Sequence, residues 1–223
     1  MRKEDISDRA IATSGRTLDH AARFYDLLSP AMTFYQEGRI SQIAIDLLDI
    51  RPGNRILDIG CGTGTLTIKI ARSLSGLHPQ SMVIGLDAAA KMIEVARKKS
   101  RGLKNIRFDV RAAERLPYGD GSFDAIISTF FFHHIDYRLK KMALRQIWRV
   151  LKKGAKAAIV DIDTPTNLFG AFCAWCGYVL FRQEEIKENI QDKLAQAIVG
   201  CGFKKWKRVS RHLGFVSVFE LEK

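Results

Sequence analysis

RILDIGCGTG, residues 55–64, carries an apolar strand into an aspartate and then through three glycines at alternate positions. A buried strand that ends in glycines brings bare backbone up to a ligand, and the start of the next helix offers N–H groups there. Such donors suit a phosphate or a carboxylate. Asp58 separates the two, because a carboxylate repels a pyrophosphate and accepts hydrogen bonds from an ammonium. Gly60, Gly62 and Gly64 together with Asp58 therefore ask for a ligand carrying both an amino and a carboxylate group, as an amino-acid moiety does.

Outward from this turn, strand-like and helix-like stretches alternate. RILDIG (55–60) reads as a buried strand, and the residues after it place Leu66, Ile70 and Leu74 at helical spacing before Gly76. SMVIGLD (81–87) is a second strand, followed by a helix with Met92, Val95 and Ala96 on one side. NIRFDV is a third strand and FDAIISTFFF a fourth, apolar almost throughout as a strand covered on both faces should be. RLKKMALRQIWRVLKKG is an amphipathic helix with Leu139, Met142, Ala143, Ile147, Val150 and Leu151 in its stripe and Gly154 as its stop. AKAAIVDID is the fifth strand. This order predicts an α/β fold: a doubly wound parallel sheet, helices on both faces and right-handed crossovers. Ligands in such sheets sit outside the carboxyl ends of the strands, near the switch point. The tail departs from the alternation. Ile186, Ile190, Leu194 and Ile198 predict one helix ending at Gly200–Gly202, and KKWKRVSR and GFVSVFELE predict an antiparallel pair at the sheet edge.

The chain's 223 residues are 47% hydrophobic and 27% charged, enough for one full core and too apolar for disorder. Cys61, Cys173, Cys176 and Cys201 follow no secreted spacing and no signal peptide precedes them, so the expected compartment is reducing and cytoplasmic. Cys173 and Cys176 lie in a very apolar segment with no second pair, which reads as inert thiols rather than half a metal site, and no metal is expected. The net charge of +12, concentrated at 98–115, 138–156 and 204–211, would attract nucleic acid, anionic lipid or an acidic substrate, or simply solvate helix faces and strand edges. No aromatic-rich nucleic-acid motif accompanies it.

Asp87 closes the second strand, where an acid can accept from the vicinal hydroxyls of a ribose, although it can equally cap the following helix. Met92, five residues later, can pack on a flat base. A nucleoside joined to an amino acid is S-adenosylmethionine. On these residues the chain resembles a known family: LDIGCGTG, VIGLDAAAKMIEVARKK, AERLPYGDGSFDAII, FFFHHI and RVLKKGAKAAIVD are similar to the class I S-adenosylmethionine-dependent methyltransferases. Within that class they look most like the group that includes the ubiquinone/menaquinone-biosynthesis C-methyltransferases. The resemblance runs from about residue 20 to 163 and rests on a set of motifs in order.

The resemblance implies a Rossmann-like seven-stranded sheet, mostly parallel, whose last hairpin inserts one antiparallel strand near the C-terminus. It implies S-adenosyl-L-methionine as cofactor and S-adenosyl-L-homocysteine as product. The cofactor would be bound by Asp58, Gly60, Cys61, Gly62, Thr63, Gly64, Asp87, Ala88, Met92, Ala113, Glu114 and Ser128. One position departs: the family's adenine-binding aspartate falls at Ala112, and Asp109 lies three residues too early. Adenine recognition then rests on backbone near Ala113 with help from Glu114.

Methyl transfer needs alignment, exclusion of water and, for a phenol, amine or acidic carbon, a base. His133 and His134 follow the fourth strand at the mouth of the expected site, where either can take that proton or merely cap and pack the turn. Tyr25 and Tyr35 lie in an amphipathic stretch that forms a lid in relatives, and Tyr25 is the residue expected to reach the site. The uncharged LFGAFCAWCGYVLF, residues 168–181, would reach about 21 Å as a helix, short of the roughly 30 Å bilayer core. It reads as a buried cap, a cover for a lipophilic acceptor, a surface anchor or a dimer interface.

A single domain is therefore expected, with a helical lid at 1–50, a cofactor-binding core at 51–163, an apolar cap at 164–182, and a C-terminal helix and β-hairpin at 183–223. Its expected activity is methyl transfer to a small, lipophilic acceptor, by a monomer or homodimer with peripheral membrane contact. Three rivals predict something else. A nicotinamide oxidoreductase needs G-x-G-x-x-G, where this chain has G-x-G-x-G. An amino-directed nucleic-acid methyltransferase shows an N/D-P-P-aromatic run where this chain reads STFFFHH, and a cytosine-directed one a Pro-Cys pair that is missing. A non-catalytic cofactor-binding protein is supported only by Ala112.

Overall fold

The computed structural model describes residues 35–223. After helix α1 (Glu37–Leu47) come β1 (Arg55–Ile59), α2 (Thr65–Leu74), β2 (Met82–Asp87), α3 (Ala90–Lys99), β3 (Ile106–Val110) and β4 (Phe123–Thr129). A 3₁₀ turn (Phe132–His134), α4 (Tyr137–Val150) and β5 (Leu151–Ile162) follow, then α5 (Leu168–Phe181), α6 (Glu184–Ile190), α7 (Lys193–Val199), β6 (Lys205–His212) and β7 (Val216–Glu222). The strands form one seven-stranded sheet in the order β3-β2-β1-β4-β5-β7-β6. The first five are parallel, and β7 lies antiparallel between β5 and β6. Strand order reverses between β1 and β4, which sets the ligand crevice at their carboxyl ends.

Alternation along each strand sorts the core into two layers. Leu57, Ile59, Ile126, Ile159 and Phe219 pack with α4 and α7. Ile56, Val83, Ala125, Val160 and Val218 pack on the other side with α1, α2 and α6. The described part of the expected lid, α1, is a packing helix that buries Ile40 and Ala44 in this second layer.

Four expectations change. The fourth strand stops at Thr129, because Phe130 turns to φ +52 and the next three residues leave the sheet. Helix α4 ends at Val150, and Leu151–Gly154 already belong to β5, where Leu151 pairs with Phe123 ahead of a bulge. Within α4 the buried face takes Lys140 and Leu144 and leaves Met142 37% exposed. The single helix expected at 184–199 breaks at Asp192 (φ +66), since Ile186 and Ile190 serve one layer while Leu194 and Ile198 serve the other. Arg208 pairs with Asp192 and holds the break.

Candidate functional site

The glycine turn hangs from the end of β2. Gly60 and Cys61 donate their N–H groups to Leu86 O at 2.9 and 3.0 Å, Gly62 donates to Asp87 Oδ2 at 3.0 Å, and Gly64 donates to Cys61 O at 2.9 Å. These N–H groups are thus used within the protein, so glycine contributes room at this turn rather than donors. Gly60 has φ +70, and a Cβ there would lie 2.5 Å from the Phe131 side chain, so only glycine fits. Asp87 accepts a second bond from Ala89 N–H at 2.8 Å through Oδ1, so it ties the glycine turn to the start of α3. Cys61 turns its sulfur inward near Gly85, and burial first, then the Asp58 and Asp87 charges, push its thiol pKa up.

Asp58 is 1% exposed and accepts from Thr67 Oγ1 at 2.6 Å through Oδ2. Its Oδ1 is buried with no hydrogen-bond partner among the described residues. Burial, assisted by repulsion from Asp87 and opposed by the Thr67 bond, pushes its pKa up to about 7. A buried carboxylate oxygen of this kind is a vacancy in hydrogen bonding that an ammonium group would fill.

Beside the turn opens a narrow cleft of about 20 Å³. Its wall brings together Gly60, Asp87, Ala88, Ala113 and Glu114, all expected at the site. Arg111, Ala112, Phe131 and Ile135 also line it. Asp109 is directed away from the cleft, accepting from Arg107 Nη2 and Tyr118 OH, both at 2.9 Å. The remaining expected cofactor residues stand outside the cleft wall. Met92 is 2% exposed within the first turn of α3. Ser128 is 1% exposed and donates to Ile59 O at 2.9 Å, bracing β4 against β1. Thr63 is buried and its hydroxyl accepts from Lys99 Nζ at 3.2 Å.

Across the crevice, the turn after β4 holds the two histidines with ring centroids 4.0 Å apart. His133 is buried, and its Nδ1 lies 2.7 Å from Asp161 Oδ1. Asp161, 0% exposed near the end of β5, also accepts from Phe132 N–H at 2.6 Å and Ile162 N–H at 2.8 Å. Asn189 of α6 reaches the same carboxylate at 3.4 Å and Ile162 O at 3.0 Å. Lys140, fully buried, donates to Ile135 O at 2.6 Å and to Glu188 Oε2 at 2.8 Å, and burial lowers its pKa against the pull of Glu188. A histidine clamped by a buried carboxylate has a fixed ring and a fixed tautomer, the arrangement of an oriented base. Tyr25 lies outside the described residues.

Sequence reasoning passed over Asp161, Asn189, Lys140, Arg111 and Phe131. Asp161 left a signal in AIVDID: an acid inside a strand otherwise apolar must be buried and so must have partners. The others become visible only when distant segments meet.

Residues 50–211 match the family described as a methyltransferase domain. Over 216 residues the chain is 34% identical to the ubiquinone/menaquinone biosynthesis C-methyltransferase UbiE of Geobacter sp. (strain M21), covering 87% of this chain and 89% of that one. It is 28% identical to the demethylmenaquinone methyltransferase of Tropheryma whipplei (strain Twist), covering 92% and 90%. Among solved structures, a SAM-dependent methyltransferase from Aquifex aeolicus superposes with TM-score 0.63 at 20% identity, covering 92% and 98%. The [4+2]-cyclase SpnF superposes with TM-score 0.64 at 16% identity, covering 96% and 99%.

Proposed function

Because the chain belongs to the class I S-adenosylmethionine-dependent methyltransferases of the UbiE type, we propose that it methylates a small lipophilic ring acceptor with His133 as the base. The observation that carries the cofactor half is the buried Oδ1 of Asp58, unpartnered among the described residues, beside a glycine turn with no room for a side chain at Gly60. When bound, S-adenosylmethionine supplies a methyl group already activated by its sulfonium and leaves as S-adenosylhomocysteine. The residues of this chain then have to hold the cofactor, exclude water and move one proton.

Asp58 is the acceptor for the amino group, which restores the hydrogen bond its Oδ1 lacks. Asp87 is assigned to the ribose diol, and Ala88, Ala113 and Glu114 border the same cleft. With Ala112 at the adenine position, base recognition falls to backbone near Ala113 and to Glu114. Phe131 walls the cleft against Gly60 and Phe132 is fully buried behind it, which keeps water from the space between cofactor and acceptor.

With Asp161 holding Nδ1, His133 carries its proton there and presents Nε2 as the basic nitrogen. The relatives' names place them in quinone biosynthesis as C-methyltransferases. Applied to this chain, the acceptor is a reduced quinone ring. Nε2 would take the phenolic proton and so raise electron density at the neighbouring ring carbon that is to be methylated, while Asp161 would steady the imidazolium. The proton that this carbon gives up as the ring regains aromaticity would restore the phenol or pass to solvent. Such an acceptor resides in a bilayer, so the reading includes a cytoplasmic protein in peripheral membrane contact, as monomer or homodimer. No described helix is long and apolar enough to cross a membrane.

The test pairs calorimetry against S-adenosylhomocysteine with a transfer assay that offers a methyl-labelled donor and a short-chain prenylated quinol under reducing conditions. Heat on binding and a product heavier by one methyl on a ring carbon are expected. Absence of heat with folded protein overturns the cofactor assignment. Binding without transfer to any quinol, phenol or amine offered overturns the catalytic one and favours a cofactor-binding protein.

A further inference from the structure

Helix α5 is 14 residues long and carries no charge. Side chains of such a helix belong in a core or against lipid. The structure instead leaves most of them in water. Leu168, Phe169, Phe172, Trp175, Val179 and Leu180 are 91%, 53%, 68%, 43%, 66% and 77% exposed. Positions 168, 172, 175 and 179 form one line along the helix, with 169 and 180 beside it. The helix touches the body along its opposite edge, where Ala174 is 2% exposed and Gly170 is buried. There Gly170 comes so near the β6–β7 turn that a Cβ would lie 2.3 Å from Gly214 O. Asn167 caps the first turn by accepting from Gly170 N–H at 2.7 Å. The body thus holds α5 firmly by one edge and presents the other.

Charge decides what that face meets. Arg211 donates to Thr164 O at 2.9 Å and so stands at the N-terminal approach to α5, with Nη2 3.6 Å from the buried Asp163 carboxylate and the side chain still partly exposed. Arg182 is exposed at its C-terminal end, and Lys187 lies over the Tyr178 ring at 5.6 Å. Glu184, bonded to Tyr178 OH and paired with Lys187, and Glu185 beside it are the acids at that end. The chain as a whole carries +12. Two copies joined face to face through α5 would set these cations near one another, whereas an anionic lipid surface would complement them.

We infer that the outer face of α5 docks on an anionic bilayer, the apolar side chains entering the acyl boundary while Arg182 and Arg211 meet the headgroups. At 14 residues the helix lies in the interface rather than across it, being about 21 Å long against a core of about 30 Å. Trp175 and Tyr178, packed edge to face at 5.4 Å, are the residue types that settle at headgroup depth. Directly after α5, α6 supplies Asn189 to the His133–Asp161 pair, so the docked face and the proposed base share one stretch of chain. The inference rests on the lipophilic-acceptor reading for its purpose but not for its test.

Flotation of the full chain with phosphatidylcholine vesicles, with and without phosphatidylglycerol, and without cofactor or acceptor, is the experiment. Binding to the anionic vesicles, weakened by salt, is expected. Phe172→Glu with Leu180→Glu should lower it at least tenfold, and Arg182→Glu about fivefold. All three positions are exposed, so unchanged circular dichroism should accompany the loss; the milder pair Phe172→Ser and Leu180→Ser serves if the glutamates unfold the helix. No vesicle binding by the folded chain overturns the inference. So does a dimer in light scattering that the Phe172 and Leu180 changes dissociate while vesicle binding is unaffected. Lack of docking alongside intact methyl transfer would leave the enzymatic reading standing, and the reverse result would leave the docking surface.

Discussion

Asp58 and Asp161 are each the next-to-last residue of a parallel strand, 1% and 0% exposed, and they meet burial in opposite ways. Asp161 has both oxygens engaged, by Phe132 N–H on one side and by His133 and Ile162 N–H on the other. Among the described residues Asp58 has Thr67 alone, and its second oxygen is buried without a partner there. A buried carboxylate left half-satisfied is costly, and such a cost persists in a fold where a ligand completes the bonding. On the proposed reading the β1 end receives a cation, while the β5 end holds an imidazole still. Phe130 links the two: it sits at φ +52, a strained conformation for an aromatic residue, and its N–H donates to Val160 O at 2.7 Å. That bend aims Phe131 at the glycine turn and His133 at Asp161.

If the β5 end carries the proton, changes there should cost turnover and spare cofactor binding. His133→Ala is expected to lower kcat about 10²–10⁴-fold, read in the transfer assay, with calorimetric affinity for S-adenosylhomocysteine unchanged. Asp161→Asn should fall short of that loss, since a neutral amide still holds the ring but no longer steadies the imidazolium formed during transfer. Near-normal kcat in both variants would break the comparison and leave the pair a structural clamp for the turn.

Changes at the β1 end should do the reverse. Asp58→Asn is expected to weaken cofactor binding about 10–100-fold, the worth of a charge-assisted hydrogen bond. The same variant should not lose stability without cofactor. Asp58 has a folded-state pKa raised from 3.8 to about 7, so its stabilising contribution is complete below 3.8 and is lost as pH rises through about 7. Asparagine escapes that loss, and the melting temperature of the cofactor-free variant at pH 8 should equal or exceed the parent's. A clear drop would mean that Asp58 is a structural acid. Asp87→Ala should weaken cofactor binding by about tenfold or more, through a ribose diol and through the brace to Gly62 N–H.

The two ends were unequally legible in the sequence for a physical reason. Asp58, Gly60, Gly62, Gly64 and Asp87 sit at strand ends, so strand pattern and turn chemistry locate them without knowledge of anything distant. The parallel sheet followed from the alternation, and its antiparallel insertion from the family likeness; the strand order itself came only with the fold. The proposed base needs β5 beside β4 and α6 folded back over the 3₁₀ turn, so Asp161 and Asn189 join His133 across 28 positions in each direction from Asp161. Periodicity does not report such meetings. The broken helix at Asp192 was hidden for the same reason, because the demand for two faces comes from two core layers that only the folded sheet defines. Ser128, which the family likeness alone placed at the cofactor, donates its hydroxyl to Ile59 O and so ties β4 to β1, a contact the sequence pattern did not report.

The smallest expected effect follows from the pKa of Asp58. At pH 6 a carboxyl with a pKa of about 7 is mostly protonated, and at pH 8 it is mostly ionised. Only the ionised form completes a bond with an ammonium, so binding must expel the proton, and affinity must rise with pH across this window. The rise should be about tenfold from pH 6 to pH 8, flattening above it. Calorimetry in two buffers of different ionisation enthalpy should show close to one proton released at pH 6 and almost none at pH 8. The parent's slope alone does not identify the group. Asp58→Asn does: it should bind weakly and with no slope, whereas His133→Ala should keep the parent's slope. A slope that survives in Asp58→Asn would move the ammonium contact elsewhere and remove the contrast between the two strand ends.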